Sequence, residues 1–325
     1  MEELTDKFNR RIDYLRVSVT DRCNLRCVYC MPQCGVSQKA PGEILAFEEI
    51  SRIVKLAIGM GIDKIKVTGG EPLVRKGLPR LLHLISSLAG LKDLSLTTNG
   101  MLLARYSKEL KAAGLKKLNI SIDTLDSQKF AHIARFGKLD NVLAGIDAAG
   151  KEKFLIKLNV VMMKGLNDDE ILDFVRFAQD RQIIVRFIEL MPMAGNSILS
   201  EDLYMSGEEI KQRLTALGNL KRLYAKFGHG PAQYYKIEGT QAIIGLISPM
   251  SCKFCFSCNR LRLTADGMLK PCLVSEQGLD LKRPLRFGEE EEVAQLIQQA
   301  VFLKPQGHHL DFNSQRQYLM SEIGG

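Results

Sequence analysis

The chain has 325 residues, 46% of them hydrophobic and 25% charged, enough to bury a full core without disulfide staples. No apolar run reaches the roughly 18 residues that span a bilayer, and the charged start MEELTDKFNRRIDYL reads as neither secretory nor transit signal, which predicts a cytoplasmic protein with no membrane partner. The excess of 45 basic over 37 acidic residues, net +8, favours an anionic partner but is too dispersed for nucleic acid; a phosphorylated small substrate fits it.

In chain order, a β-prone run at 14–20 opens the pattern. A helix over 47–60 follows, with apolar residues at Ile50, Ile53, Val54, Leu56 and Ala57. The predicted strand at 64–68 leads to a helix at 78–88, and the strand at 94–98 to a helix at 102–113. A strand at 117–122 precedes a helical region ending at 141–149. The last unit is a strand at 154–162, a helix at 169–179 and a strand at 183–190. Six βα-type steps of this kind argue an α/β fold with a parallel sheet and helices outside it. Periodicity alone does not separate an open sheet from a partial barrel.

Beyond about residue 190 the pattern changes, which divides the chain into 1–190 and 191–325. A loop at 191–203, a helix at 207–217 and β-prone runs at 220–227, 234–238 and 241–247 come first. A cysteine window, a helix at 289–300 and a polar tail close the chain.

All eight cysteines lie in two windows, Cys23, Cys27, Cys30 and Cys34, then Cys252, Cys255, Cys258 and Cys272. With no secretory signal, clustered cysteines point to metal or redox chemistry rather than disulfides. Cys23, Cys27 and Cys30 form C-x3-C-x2-C directly after the first strand. Three thiolates that close together suit an iron–sulfur cubane with one iron left open. Structural zinc or a four-cysteine site using Cys34 is the alternative, although Pro32 bends the chain before Cys34. In the second window Cys255 and Cys258 are C-x2-C, and Cys272 follows thirteen residues later; a zinc ribbon that includes Cys252 is the alternative there.

C-x3-C-x2-C with Tyr29 before the last cysteine resembles the signature of the radical S-adenosylmethionine enzymes. Gly69-Gly70-Glu71-Pro72 and Ser121, each at a predicted strand end, resemble that superfamily's contacts to S-adenosylmethionine. The text FCFSCNRLR with its later cysteine, together with LRVSVTDRCNLRCVYCMP, KVTGGEPLVRK, LTTNG, LNISIDTL, VRFIELMPM and the closing IGG, is similar to the GTP 3′,8-cyclase family of molybdenum cofactor biosynthesis. The resemblance covers nearly the whole chain.

That resemblance implies a partial (β/α)6 TIM-like barrel with a C-terminal α+β region and two [4Fe-4S] clusters. One would be held by Cys23, Cys27 and Cys30 and the other by Cys255, Cys258 and Cys272, with Cys34 and Cys252 as non-ligands. It implies S-adenosylmethionine contacts at Tyr29, Gly70, Ser121 and Met191. It implies GTP contacts at Arg16, Lys66, Thr97, Lys157, Arg260, Leu261 and Arg262, with Lys66 standing where the family often has arginine. Thr97 and Thr98 exchange places under a one-residue slip. The Gly324-Gly325 tail would reach toward the active site, and Arg16, Arg260 and Arg262 would take part in the reaction there. Alternation on a strand would turn Arg260 and Arg262 to one face, suited to a triphosphate. His308 and His309 read as surface residues.

The implied reaction is hydrogen abstraction from ribose C3′ by a 5′-deoxyadenosyl radical, then attack on guanine C8, giving (8S)-3′,8-cyclo-7,8-dihydroguanosine 5′-triphosphate. Implied partners are a downstream cyclic pyranopterin monophosphate synthase, an electron donor and a second copy in a homodimer. A radical peptide maturase predicts more C-terminal cysteines and no need for Arg260 and Arg262. A two-cluster electron carrier would need neither the GGEP segment nor an open iron.

Overall fold

The computed structural model describes residues 3–193, 201–225, 227–312 and 320–323. The first half runs β1 (Tyr14–Ser18), α1 (Phe47–Gly59), β2 (Lys64–Thr68), α2 (Leu78–Ser86), β3 (Asp93–Thr98), α3 (Leu103–Ala112), β4 (Lys117–Ser121), α4 (Ser127–Ala134), α5 (Leu139–Lys151), β5 (Leu155–Met162), α6 (Ile171–Asp180) and β6 (Ile184–Glu189). The second half holds α7 (Gly207–Leu214), β7 (Leu220–Leu223), β8 (Gln233–Ile237), β9 (Ile243–Ile247), β10 (Arg260–Leu263), β11 (Met268–Lys270), β12 (Leu279–Asp280), α8 (Lys282–Phe287), α9 (Glu290–Phe302) and α10 (Met320–Ile323).

All strands form one sheet, in the order β12-β11-β10-β1-β2-β3-β4-β5-β6-β9-β8-β7. β1 to β6 are parallel neighbours in sequence order, the signature of repeated βα units. β1 and β6 do not pair with each other; β10 lies parallel to β1 and β9 parallel to β6. The result is a partial barrel, and the C-terminal region extends it at both edges.

Alternation explains which way each strand faces. Leu15, Val17, Ile65, Val67, Leu118 and Leu158 are buried in the apolar core beneath the helices. The residues between them, Arg16, Lys66, Asn119 and Lys157, lie on the opposite face. A parallel sheet covered on both faces reads as continuous apolar runs; here the polar alternation marks an inner face kept for something charged.

The predicted helices match α1, α2, α3 and α6 to within one or two residues at most ends. The helical region before 149 is two helices, because Asp126 accepts from the backbone N–H groups of Gln128 and Lys129 and starts α4 separately. The predicted strand at 220–227 stops at Leu223; Gly228, Gly230 and Pro231 turn the chain beyond it. α8 contains Pro284 near its start, where a missing N–H costs nothing, and its six residues show too little periodicity to be read in advance. Among the described residues no helix is long and apolar enough to cross a membrane.

Candidate active site

The strand directions place the two cysteine windows at opposite ends of the barrel. Cys23, Cys27 and Cys30 follow the C-terminal end of β1, whereas Cys255 and Cys258 precede the N-terminal end of the parallel β10. The backbone N–H of Tyr14 donates to the carbonyl of Asn259 at 3.2 Å, which fixes the second window beside the start of β1. Five residues of β1 at about 3.3 Å each separate the two ends by roughly 13 Å or more.

The first end is built largely from backbone. Gly70 N–H donates to the Thr20 carbonyl at 2.7 Å, and Glu71 N–H to the Arg22 carbonyl at 2.8 Å. A Cβ on Gly70 would stand 2.4 Å from the Arg22 carbonyl oxygen, so only glycine lets this turn lie against the cysteine loop. The buried Glu71 accepts from Leu73 N–H, Asn99 N–H and the Thr98 hydroxyl, tying the ends of β2 and β3 together; burial pushes its pKa up to about 7. On the other side, Arg26 and Val28 donate their N–H groups to the carbonyls of Ala134 and Ile133 at the end of α4.

Tyr29 donates its hydroxyl to Asp123 at 2.7 Å. Asp123 also accepts from Val161 N–H, and burial raises its carboxyl to about 6. Burial first, then Asp123 and the neighbouring Cys30 and Cys23, push the Cys27 thiol well up, so the three sulfurs sit close enough to feel one another. Cys34 is exposed on a turn. Ser121 ends β4, and Met191 follows the end of β6, both on this side of the barrel.

Side chains build the other end. Register puts Arg262, Arg16, Lys66 and Ser95 in one row across β10, β1, β2 and β3. Lys66 is half-buried on this face beside Arg16, Arg186, Lys157 and Arg260; desolvation first, then those four cations, drive its pKa well below the ordinary lysine value. Burial, then Arg186, brings Lys157 down to about 8, and its ammonium donates to the Phe227 carbonyl. Arg186 donates to Asn119 at 2.5 Å. Among the described residues, the buried Nε atoms of Arg186 and Arg260 meet no hydrogen-bond partner, as expected where donors await an anion. A cleft of about 530 Å³ opens at this end, lined by Arg260, Lys64, Tyr234, Phe254 and Asn259 among others, a size that suits a small ligand.

The second cysteine set lies in this basic surrounding. Burial alone would raise the Cys258 thiol, but Arg260 and Lys304 outweigh it and bring it down to about 6. Arg262 and Lys304 both feel the thiols of Cys258 and Cys272, which locates those two sulfurs together. Cys252 is exposed and meets Gln233 instead.

Each donor set suits an iron–sulfur cluster chemically, since both offer three partly accessible free thiols. Among the described residues no three His, Cys, Asp or Glu side chains converge tightly enough for a single metal ion; a cubane spreads its thiolates over separate irons.

Several predicted residues fall on one face. Arg16, Lys66, Lys157, Arg260 and Arg262 converge, and Thr97 lies two residues beyond Ser95 on the same face of β3. Thr98, its neighbour, donates its hydroxyl to Glu71 at 2.7 Å. Leu261 is fully buried between the two arginines, and alternation turns its side chain into the apolar core, leaving its backbone for the contact that the resemblance implies. His308 is a correction, being partly buried, with Nε2 3.1 Å from the Pro249 carbonyl; His309 is exposed. Gly324 and Gly325 lie outside the described residues.

Sequence reasoning did not single out Arg186, Asn119, Asp123 and Lys304, and placed Glu71 in its motif without its hydrogen bonds to Leu73, Thr98 and Asn99. A lone arginine inside IIVRFIEL, 6% exposed in the structure, was the available signal for Arg186.

Comparison with known proteins agrees with this geometry. Residues 17–178 match the Radical SAM superfamily, and residues 183–310 match Molybdenum Cofactor Synthesis C. The GTP 3′,8-cyclase of Peptoclostridium acidaminophilum is 47% identical over 99% of this chain and 98% of its own. That of Thermodesulfovibrio yellowstonii is 45% identical over 99% of this chain and 100% of its own. In fold, the chain resembles Streptococcus suis SuiB bound to S-adenosylmethionine (TM-score 0.61, 15% identity, 90% of this chain and 67% of that one). The same protein bound to its precursor peptide SuiA aligns with a TM-score of 0.65 at 15% identity, covering 90% of this chain and 68% of that one. With relatives this similar along its full length, the chain belongs to the GTP 3′,8-cyclase family of the radical S-adenosylmethionine superfamily.

Proposed function

We propose that this chain converts GTP to (8S)-3′,8-cyclo-7,8-dihydroguanosine 5′-triphosphate, the first step of molybdenum cofactor biosynthesis. The observation that carries the substrate is the row Arg262, Arg16 and Lys66 across β10, β1 and β2, with Lys157, Arg186 and Arg260 on the same face. Like charges gathered on one partly desolvated face repel, and a triphosphate supplies the missing countercharge. Arg16, Arg260 and Arg262 offer planar forks for phosphate oxygens, while Lys66 and Lys157 act as point charges. Lys157 would exchange the Phe227 carbonyl for a phosphate oxygen.

Cys23, Cys27 and Cys30 would hold one [4Fe-4S] cluster, and Cys255, Cys258 and Cys272 the other. S-adenosylmethionine, bound at the first cluster, supplies the radical chemistry that no side chain of the protein can generate. Around it, Gly70 lets its turn pack against the cysteine loop and leaves its backbone as the contact to the ligand, Ser121 offers a hydroxyl, Met191 packs, and Tyr29 is held by Asp123. The barrel interior brings ribose C3′ to the first end while the cations fix the triphosphate at the second, a positioning role. Thr97, on the face between them, would contact the nucleotide, and the Gly324-Gly325 tail would approach the same space.

Residues 1–190 thus supply the radical half and 191–325 the second cluster and much of the substrate site. The product would pass to a cyclic pyranopterin monophosphate synthase. A cytoplasmic location, an unidentified electron donor and a homodimer complete the proposal. Anaerobic incubation with GTP, S-adenosylmethionine and dithionite tests it: 5′-deoxyadenosine should form as GTP disappears. No GTP consumption, with a peptide accepted instead, would sink this reading.

A further inference from the structure

The second cysteine set comes from separate stretches of chain. Cys255 and Cys258 precede β10, and Cys272 follows β11. β10 and β11 pair at Arg262↔Lys270 and Leu263↔Leu269, so the cysteines lie just outside the paired ladder. Something beyond the sheet has to hold these stretches together.

Lys304, just past the end of α9, is 1% exposed. Its ammonium donates to the Arg260 carbonyl at 2.8 Å and to the Pro271 carbonyl at 2.9 Å. Arg260 lies two residues after Cys258, and Pro271 immediately precedes Cys272. One buried ammonium therefore bridges the two stretches. Arg10 reaches the third cysteine, donating to the carbonyls of Cys255 at 2.7 Å, Pro305 at 2.7 Å and Gln306 at 3.2 Å.

The two cations differ in charge balance. Arg10 has a buried carboxylate partner, with its Nε 2.6 Å from Asp6. Lys304 donates to two neutral carbonyls, and the groups that offset its burial are the sulfurs of Cys258 and Cys272. Burying an ammonium is costly unless a countercharge compensates it. Three thiolates on a [4Fe-4S]2+ core leave one net negative charge, which matches.

We propose that Lys304 is the positioning residue of the second cluster: its ammonium clamps the Cys258 and Cys272 stretches in ligating geometry and neutralises the cluster's charge. This rests on Cys255, Cys258 and Cys272 being the ligands.

The test uses the full chain, reconstituted anaerobically. Cys27→Ser leaves only the second cluster, about four irons per chain, and Cys258→Ser leaves only the first. In the Cys27→Ser background, Lys304→Met should lower iron from about four per chain to less than about one. Lys304→Gln keeps an N–H donor without the charge, so it should retain more iron but with a more negative reduction potential and an altered electron paramagnetic resonance signal. In the Cys258→Ser background, Lys304→Met should keep the first cluster's iron. Full iron with an unchanged potential in both Lys304 variants would overturn the proposal. So would loss of the first cluster's iron with Lys304→Met, since the residue would then serve folding in general. Retention of both clusters by Cys258→Ser would instead remove the ligand assignment, and the clamp with it.

Discussion

The two ends of the barrel solve different problems with different materials. At the C-terminal ends of the strands, glycine, backbone N–H groups and the buried carboxyls of Glu71 and Asp123 shape the surroundings of three cysteines. At the N-terminal ends, long cationic side chains from five strands gather near the other cysteine set, and one of them, Arg260, also lines the cleft. Backbone holds a ligand of fixed shape against a turn; side-chain charge grips a polyanion. The contrast shows in the thiols themselves, with Cys27 pushed up at one end and Cys258 brought down to about 6 at the other.

The largest effects should separate the ends outright. Cys27→Ser should abolish 5′-deoxyadenosine formation and halve the iron content, from about eight to about four per chain. Cys258→Ser should halve the iron equally but leave S-adenosylmethionine cleavage detectable while cyclised product is lost. Equal loss of cleavage in both variants would erase the distinction.

Next in size, Lys157→Ala should raise KM for GTP roughly 10- to 100-fold, the worth of one charge-assisted hydrogen bond, with S-adenosylmethionine affinity unchanged. Steady-state kinetics at two salt concentrations checks this, since the wild-type KM should rise more steeply with salt. Gly70→Ala should do the reverse, weakening S-adenosylmethionine binding and costing about 1–3 kcal/mol in unfolding because the new methyl collides with the Arg22 carbonyl. GTP affinity, measured by calorimetry, should hold.

The smallest effect belongs to neither end. Glu209 caps α7 by accepting from Ser206 N–H, and that bond first, with Lys164 next, depresses its carboxyl to about 2. Its stabilisation is present above the ordinary carboxylate pKa and is lost as pH falls through about 2. Glu209→Gln should cost about 0.5–1 kcal/mol at neutral pH, and denaturant curves should show the gap closing on acidification. Both clusters and both ligand affinities should be unaffected.

The βα alternation was legible because each helix carries an apolar stripe at helical spacing, as Ile50, Ile53, Val54 and Ala57 do in α1. The cysteine clustering was legible because Cys23, Cys27 and Cys30 lie within eight residues and Cys255 and Cys258 within four, whereas Cys272, beyond thirteen intervening residues, was placed by the resemblance. Arg186 was hidden because a single arginine in an apolar strand reads as an edge or an exception until its row is known. Lys304 was hidden for a stronger reason: its partners at Arg260 and Pro271 are 44 and 33 residues away. The facing of Leu261 was hidden because a motif match carries a position without its facing.

The sequence alone determined the parallel βα architecture, the two three-cysteine sets and the basic residues available to an anion, because each is written in local spacing. Tertiary structure alone decided that the two sets lie at opposite ends of one barrel. It also decided that Arg16, Lys66, Lys157, Arg186, Arg260 and Arg262 meet on one inner face. Those facts depend on strand register, and register is set by pairing between segments far apart in the chain.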